Sequence, residues 1–161
     1  MLRRRGDDGQ LTVLVIGFTL VAALLVIVGI DASKVFLARR ALASAADAAA
    51  LAAAQSIDKS AVYSGDIGSC GDPLPLDPAA AEFRAAASFA DDAPGLRSDF
   101  AHLDPPATSV DAGTATVRLS GTVSVPFGGA LAYLLPGHGD GAVHITATSS
   151  AQSPIVRAAG C

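Results

Sequence analysis

Residues 11–30 read LTVLVIGFTLVAALLVIVGI, and the interpretation of the whole chain turns on them. The run holds no charged residue; Arg3, Arg4, Arg5, Asp7 and Asp8 precede it, and Asp31 and Lys34 follow it. At 1.5 Å per residue, about 20 such residues span about 30 Å, the thickness of a bilayer's hydrocarbon core. A single transmembrane helix is predicted. Gly17 and Gly29 are no obstacle, because lipid offers the helical backbone no competing hydrogen-bond partner, while Leu, Val and Ile favour transfer. A buried helix of a soluble protein is the competing reading for an apolar run of this kind, and its length counts against it. A cleaved secretory signal also competes, since the alanines from Ala32 onward offer small-x-small sites, but the run exceeds the roughly 7 to 15 apolar residues of such signals.

From Asp31 the chain continues DASKVFLARRALASAADAAALAAAQ, with no Gly or Pro and dominated by alanine, the best helix former. Membrane run and alanine-rich run are therefore expected to form one rod ending near Ser56. Lys34, Arg39, Arg40 and Asp47 are spread around its circumference, so no apolar stripe that would dock on a core is apparent. What the segment offers instead is small side chains, Ala45, Ala46, Ala48, Ala49, Ala50, Ala52, Ala53 and Ala54, which let another helix approach closely.

This stretch strongly resembles the N-terminal segment of the TadE/TadG-like proteins of the Flp (tight adherence) pilus system. The resembling elements are the basic lead from Arg3 to Gly9, the apolar run Leu11 to Ile30, Asp31, the Val35 to Arg40 patch and the AADAAALA block from Ala45 to Ala52. They cover about the first third of the chain. The resemblance implies a membrane-anchored, pilin-like component that acts by assembly, with an exported C-terminal part. Its partners would be the bilayer, other pilus or secretion components met through the N-terminal helix, and possible further copies of itself. Asp31, Arg39, Arg40, Ala45, Ala46, Asp47, Ala49 and Leu51 are the candidate assembly residues. Related pseudopilins are cut after a glycine at the cytoplasmic face, for which Gly6 and Gly9 are the candidate positions. The peptidase concerned usually wants a Glu five residues into the mature chain, where Leu11 or Leu14 stands here, so an uncut anchor is expected.

Charge and composition bound the remainder. Past Ser56 there are eleven acidic residues against five basic ones, the wrong sign for nucleic-acid binding. With no Trp and 5% aromatic residues, the core must be built from Val, Leu, Ala and a few Phe, and such a core is marginal. Arg3 to Arg5 favour a cytoplasmic N-terminus, although Lys34, Arg39 and Arg40 nearly balance them. Cys70 and Cys161, the two cysteines of the chain, suit an oxidising compartment. Their separation rules out a C-x-x-C motif, and one disulfide between them is expected, with an intermolecular bridge as the alternative.

Turn residues from Ile57 to Pro78 predict a loop. Asp77-Pro78 is an N-cap followed by proline at the first helical position, which predicts a helix from about Pro78 to Ala90 with Phe83, Ala86, Ala87 and Phe89 or Ala90 inward, ended by Asp91-Asp92-Ala93-Pro94-Gly95. Strict alternation over Thr114–Val125 and Ala142–Ala151 predicts two strands that pair as an antiparallel hairpin. Pro126 to Pro136 between them carries Phe127, Leu131, Leu134 and Leu135.

The residues of reactive type form no recognisable site. His138, Asp140 and His144 match no zinc spacing, His102 beside Asp104 reads as surface, and no nucleophile elbow or phosphate loop is present. No catalytic residue, metal or cofactor is assigned. The expected architecture is α+β: a basic cytoplasmic lead (1–10), a transmembrane helix (11–30), its alanine-rich continuation (31–56) and a small extracytoplasmic domain (57–161) with a short helix and a β-hairpin. The expected function is a pilus-assembly component in the cytoplasmic membrane. The alternative is a membrane-tethered extracytoplasmic enzyme or binding module unrelated to pili.

Overall fold

The computed structural model describes residues 8–125, 127 and 142–155. Helix α1 runs unbroken over Asp8–Ala54. No residue between Leu11 and Ile30 is buried by the rest of the chain. The hydroxyls within and just above the run turn back on their own helix: Thr19 Oγ1 donates to the Val15 carbonyl and Ser33 Oγ to the Gly29 carbonyl, both at 2.7 Å. A hydroxyl satisfied in this way can enter lipid without stranding a donor. The long apolar helix is therefore as expected, and the rest of the chain is a small α+β unit built on its upper half.

Above Asp31 the helix acquires an inner face. Ala38, Leu42, Ala45, Ala46, Ala49, Ala50, Ala53 and Ala54 are each at most 4% exposed, at the three- and four-residue spacing of one helix side. This is a docking stripe of the kind the sequence hides, because it differs from the opposite face in size and not in apolarity. Close approach by another helix is what the alanines permit, as their size suggested, but the helix that approaches belongs to the same chain.

That helix is α3, Pro78–Leu96. Asp77 caps it, its carboxylate accepting the Ala79 and Ala80 N–H groups at 2.9 and 3.2 Å. Two expectations are corrected here. The inward residues are Ala81, Ala85, Ala93 and Leu96, with Phe89 partly buried, whereas Phe83 is 75% exposed. A seam between two helices lined by alanine on both sides has no room for a phenyl ring. The helix also continues through Asp91–Gly95, because Pro94 falls in its last turn, where Arg97 N–H still reaches the Ala93 carbonyl at 3.0 Å. Leu96 and Phe100, both 5% exposed, hold that end in the core. Within the predicted 57–78 loop lies one further short helix, α2, Lys59–Ser64, capped by Asp58 and closed by Gly65 at φ 81°.

Among the described residues, four strands complete the unit: β1 His102–Leu103, β2 Ala107–Asp111, β3 Thr114–Ser124 and β4 Ala142–Gln152. The β3–β4 pairing is the predicted hairpin, eleven residue pairs in one antiparallel register from Thr114↔Gln152 to Ser124↔Ala142. Ala115, Val117, Leu119 and Val123 face the helices, fully buried. Along the other edge of β3 lie β1 and β2, which the sequence reading did not anticipate. They are one edge interrupted by Pro105-Pro106, which have no N–H to offer the ladder; the register slips by one residue across the interruption, from Leu103↔Gly121 to Ala107↔Arg118. Ala112 and Gly113, at φ 43° and 77°, make the tight β2–β3 turn.

Three stability outcomes follow from these contacts, each measurable by thermal unfolding of the purified chain in detergent. Leu42→Ala opens a cavity in the centre of the core and should cost about 2–5 kcal/mol. Gly121→Ala places a methyl 2.9 Å from the His102 carbonyl oxygen, a backbone atom that cannot step aside, and should cost about 1–3 kcal/mol. Phe83→Ala should change stability by less than about 0.5 kcal/mol, as for an exposed side chain.

Candidate functional site

The helix that enters the core also presents a second face outward. Phe36, Arg40, Ala43, Asp47 and Leu51 are all exposed and recur at steps of four, three, four and four, which places them along one side of α1. Of the candidate assembly residues, Arg39, Arg40, Asp47 and Leu51 lie exposed, whereas Ala45, Ala46 and Ala49 lie in the seam with α3 and the sheet. Seven of the eight are thus divided between two sides of the helix. Gly9 is within α1; Gly6 lies outside the described residues.

Asp31 occupies a position of its own. It is the first charged residue after the apolar run, it is half-buried, and its Oδ1 accepts the Phe127 N–H at 3.4 Å. The helix at the top of the apolar run is thereby joined to the chain just past the end of β3. Nothing in the sequence pairs residues 31 and 127; the contact arises because β3 runs back down the length of α1.

Cys70 is exposed, beside a turn in which Asp72 N–H donates to the Ser69 carbonyl at 3.0 Å and the Asp72 carboxylate accepts the Ser69 N–H at 2.8 Å. Cys161 lies outside the described residues. The last described residues do, however, run beside this region: Ile155 bridges to Pro73, Leu74 N–H donates to the Pro154 carbonyl at 3.0 Å, and Ser153 Oγ donates to the Leu74 carbonyl at 2.6 Å.

On the polar side of the sheet, Asp104 gathers a small group. Ser120 Oγ donates to its Oδ2 at 2.6 Å, and His102 Nε2 lies 3.3 Å from its Oδ1. Serine, histidine and aspartate meet here in the wrong order for hydrolysis: the carboxylate lies between the other two, and the serine donates to it instead of to an imidazole that would take its proton. Its role is local. The Ser120 hydroxyl, then the nearby His102 and His144, hold the Asp104 carboxyl below the ordinary carboxylate value of 3.8. The Ser60 hydroxyl and the Ala61 N–H do the same for Asp58 at the cap of α2. No cluster of metal-ligating side chains occurs among the described residues; His138 and Asp140 lie outside them.

The sign of the pH dependence follows. A carboxyl lowered in the folded state contributes stability that is complete above the ordinary value of 3.8 and is lost as pH falls through the lowered value. Ser120→Ala removes the leading cause at Asp104, so its titration midpoint should rise, and carboxyl NMR of the labelled protein should show that midpoint moving while that of Asp58 stays in place.

The comparisons with known proteins concern the same helix. No curated protein and no solved structure matches the chain. One family model does, and it covers α1 almost end to end, from the beginning of the apolar run to the close of the alanine seam. Residues 9–56 match the TadE/G-like Flp pilus-assembly family.

Proposed function

We propose that the chain is a single-pass membrane component of a Flp-type pilus or related secretion apparatus, acting by protein–protein assembly, with its α+β unit on the extracytoplasmic side. The family match over residues 9–56 carries this reading, and the outward stripe of α1 gives it a surface. Because Ala45, Ala46 and Ala49 are buried in the chain's own core, assembly contacts use the side bearing Phe36, Arg40, Ala43, Asp47 and Leu51. This stripe has apolar residues at both ends and opposite charges between them, which suits a partner helix in defined register.

The test replaces one residue at a time with a photo-crosslinking amino acid in cells that carry the apparatus. Positions 36, 43, 47 and 51 should yield adducts with other components, recurring every three to four residues, while positions 41 and 52 on the neighbouring side should yield few. Equal yield all round the helix, or none, overturns the assembly surface. Ala49→Leu should act differently, destabilising the fold by about 1–3 kcal/mol through overpacking while Ala43→Leu leaves stability within about 0.5 kcal/mol.

The extracytoplasmic placement rests on Arg3 to Arg5 and on cysteine usage. A Cys70–Cys161 bridge belongs to the same reading. Ile155 lies against Pro73, and the six residues from there to Cys161 reach about 20 Å when extended, enough to return to Cys70. Non-reducing mass spectrometry should find one peptide linking the two; closing so long a loop is worth on the order of 4 kcal/mol in the chain-entropy account, so reduction should lower the melting temperature measurably.

A further inference from the structure

The core is organised so that its sheet is aligned along α1. The first residues of β3 lie at the far end of the helix, where Gly113 accepts from Ser153 N–H and the neighbouring Leu74–Asp77 segment is tied to Ser56 and Asp58. From there β3 descends. Helix residues 31 to 54 rise about 35 Å at 1.5 Å each, and eleven strand residues cover about 36 Å at 3.3 Å each, so the two elements act as rulers of equal length. The hydrogen bond from Phe127 to Asp31 closes the comparison: the β3–β4 end of the sheet stands at the level where the apolar run ends.

We propose that this end of the sheet rests on the bilayer surface, with Phe127 and Val143 in contact with lipid at the headgroup boundary. The inference rests on residues 11–30 spanning the membrane, and the partner is the lipid bilayer itself. Phe127 and Val143 are 37% and 36% exposed, apolar residues left uncovered at the one place in the fold where lipid must be adjacent. Just above that level on the helix, Leu37 is 60% exposed, and Lys34 supplies positive charge whose long stem can reach down to anionic headgroups. Asp31, at this level, turns its carboxylate to the Phe127 N–H. The unit would thus lie with a fixed end on the membrane instead of tumbling on a stalk.

The chain contains no Trp, so single substitutions give clean fluorescence probes. The full chain carrying Leu20→Trp, Phe127→Trp, Val143→Trp or Phe83→Trp is reconstituted into vesicles of phosphatidylethanolamine and phosphatidylglycerol, with bromines placed shallow or deep in the acyl chains. Leu20→Trp reports the span itself. Phe127→Trp and Val143→Trp should be quenched by the shallow bromines at least about twice as strongly as by the deep ones, as for tryptophan at an interface. Phe83→Trp, about 28 Å above the surface by the helix rise, should be untouched. Deep quenching of Leu20→Trp, with Phe127→Trp and Val143→Trp no more quenched than Phe83→Trp, overturns the surface contact while leaving the span intact. Loss of quenching at Leu20→Trp overturns the span. A blue-shifted but unquenched Phe127→Trp whose shift depends on protein density in the vesicle assigns this end to a second copy of the chain and also overturns the proposal.

Discussion

One helix must satisfy two environments, and the rest of the chain adapts to that. Below Asp31, α1 is apolar on all sides and uncovered; above it, the same unbroken helix is buried on one side and wet on the other. A continuous helix transmits position along its length without a hinge, since each residue adds a fixed rise and a fixed rotation. Whatever packs on the upper half is therefore set in both height and azimuth with respect to the lower half. The alanine seam with α3, the descent of β3 and the Asp31–Phe127 contact are all consequences of docking a small sheet on an extension of an apolar span.

The seam itself explains how so thin a core holds. Its largest fully buried side chains are Leu42, Leu119, Val117 and Val123, and the rest is mostly alanine. Little apolar area is available per residue, so stability depends on short backbone separations and on satisfaction of the buried backbone groups, although the buried hydroxyls of Ser56 and Thr108 find no partner among the described residues. The caps at Asp58 and Asp77, the uninterrupted β3–β4 ladder and the ties from Ser153 and Pro154 to Leu74 supply that satisfaction. Small side chains also lose little entropy on burial, which offsets part of the missing hydrophobic area.

What the sequence disclosed and what it hid divide along the same physical line. Apolar length, the Asp77-Pro78 cap and the period-two strands all announce themselves by contrast between neighbouring residues, and each was legible. The inner face of α1 has no such contrast, because Ala43 outside and Ala45 inside are the same residue. Phe83 misleads for the complementary reason: hydrophobicity argues for burial, but the space opposite it is closed by the approach of two alanine faces. The β1 and β2 edges are too short to show a period of their own, because Pro105-Pro106 interrupts them before the chain resumes pairing one residue out of register. The Asp31–Phe127 and Asp104–Ser120 contacts depend on tertiary placement, for which one sequence carries no pattern.

This division bears on how an anchor becomes an assembly part. Small residues in and near membranes ordinarily suggest a partner helix, and the alanine block of this chain invites that interpretation. Here the invitation is answered within the chain, by α3 and the sheet, which pack on α1 and bury its alanines. The side left for partners carries Arg40, Asp47 and two large apolar residues, Phe36 and Leu51. Contacts of that kind are selective before they are strong: opposite charges fix register and reject mismatched partners, while the apolar ends supply buried area. On the proposed reading, folding and association draw on opposite sides of one helix, so a substitution on the outer stripe would weaken association without touching the core.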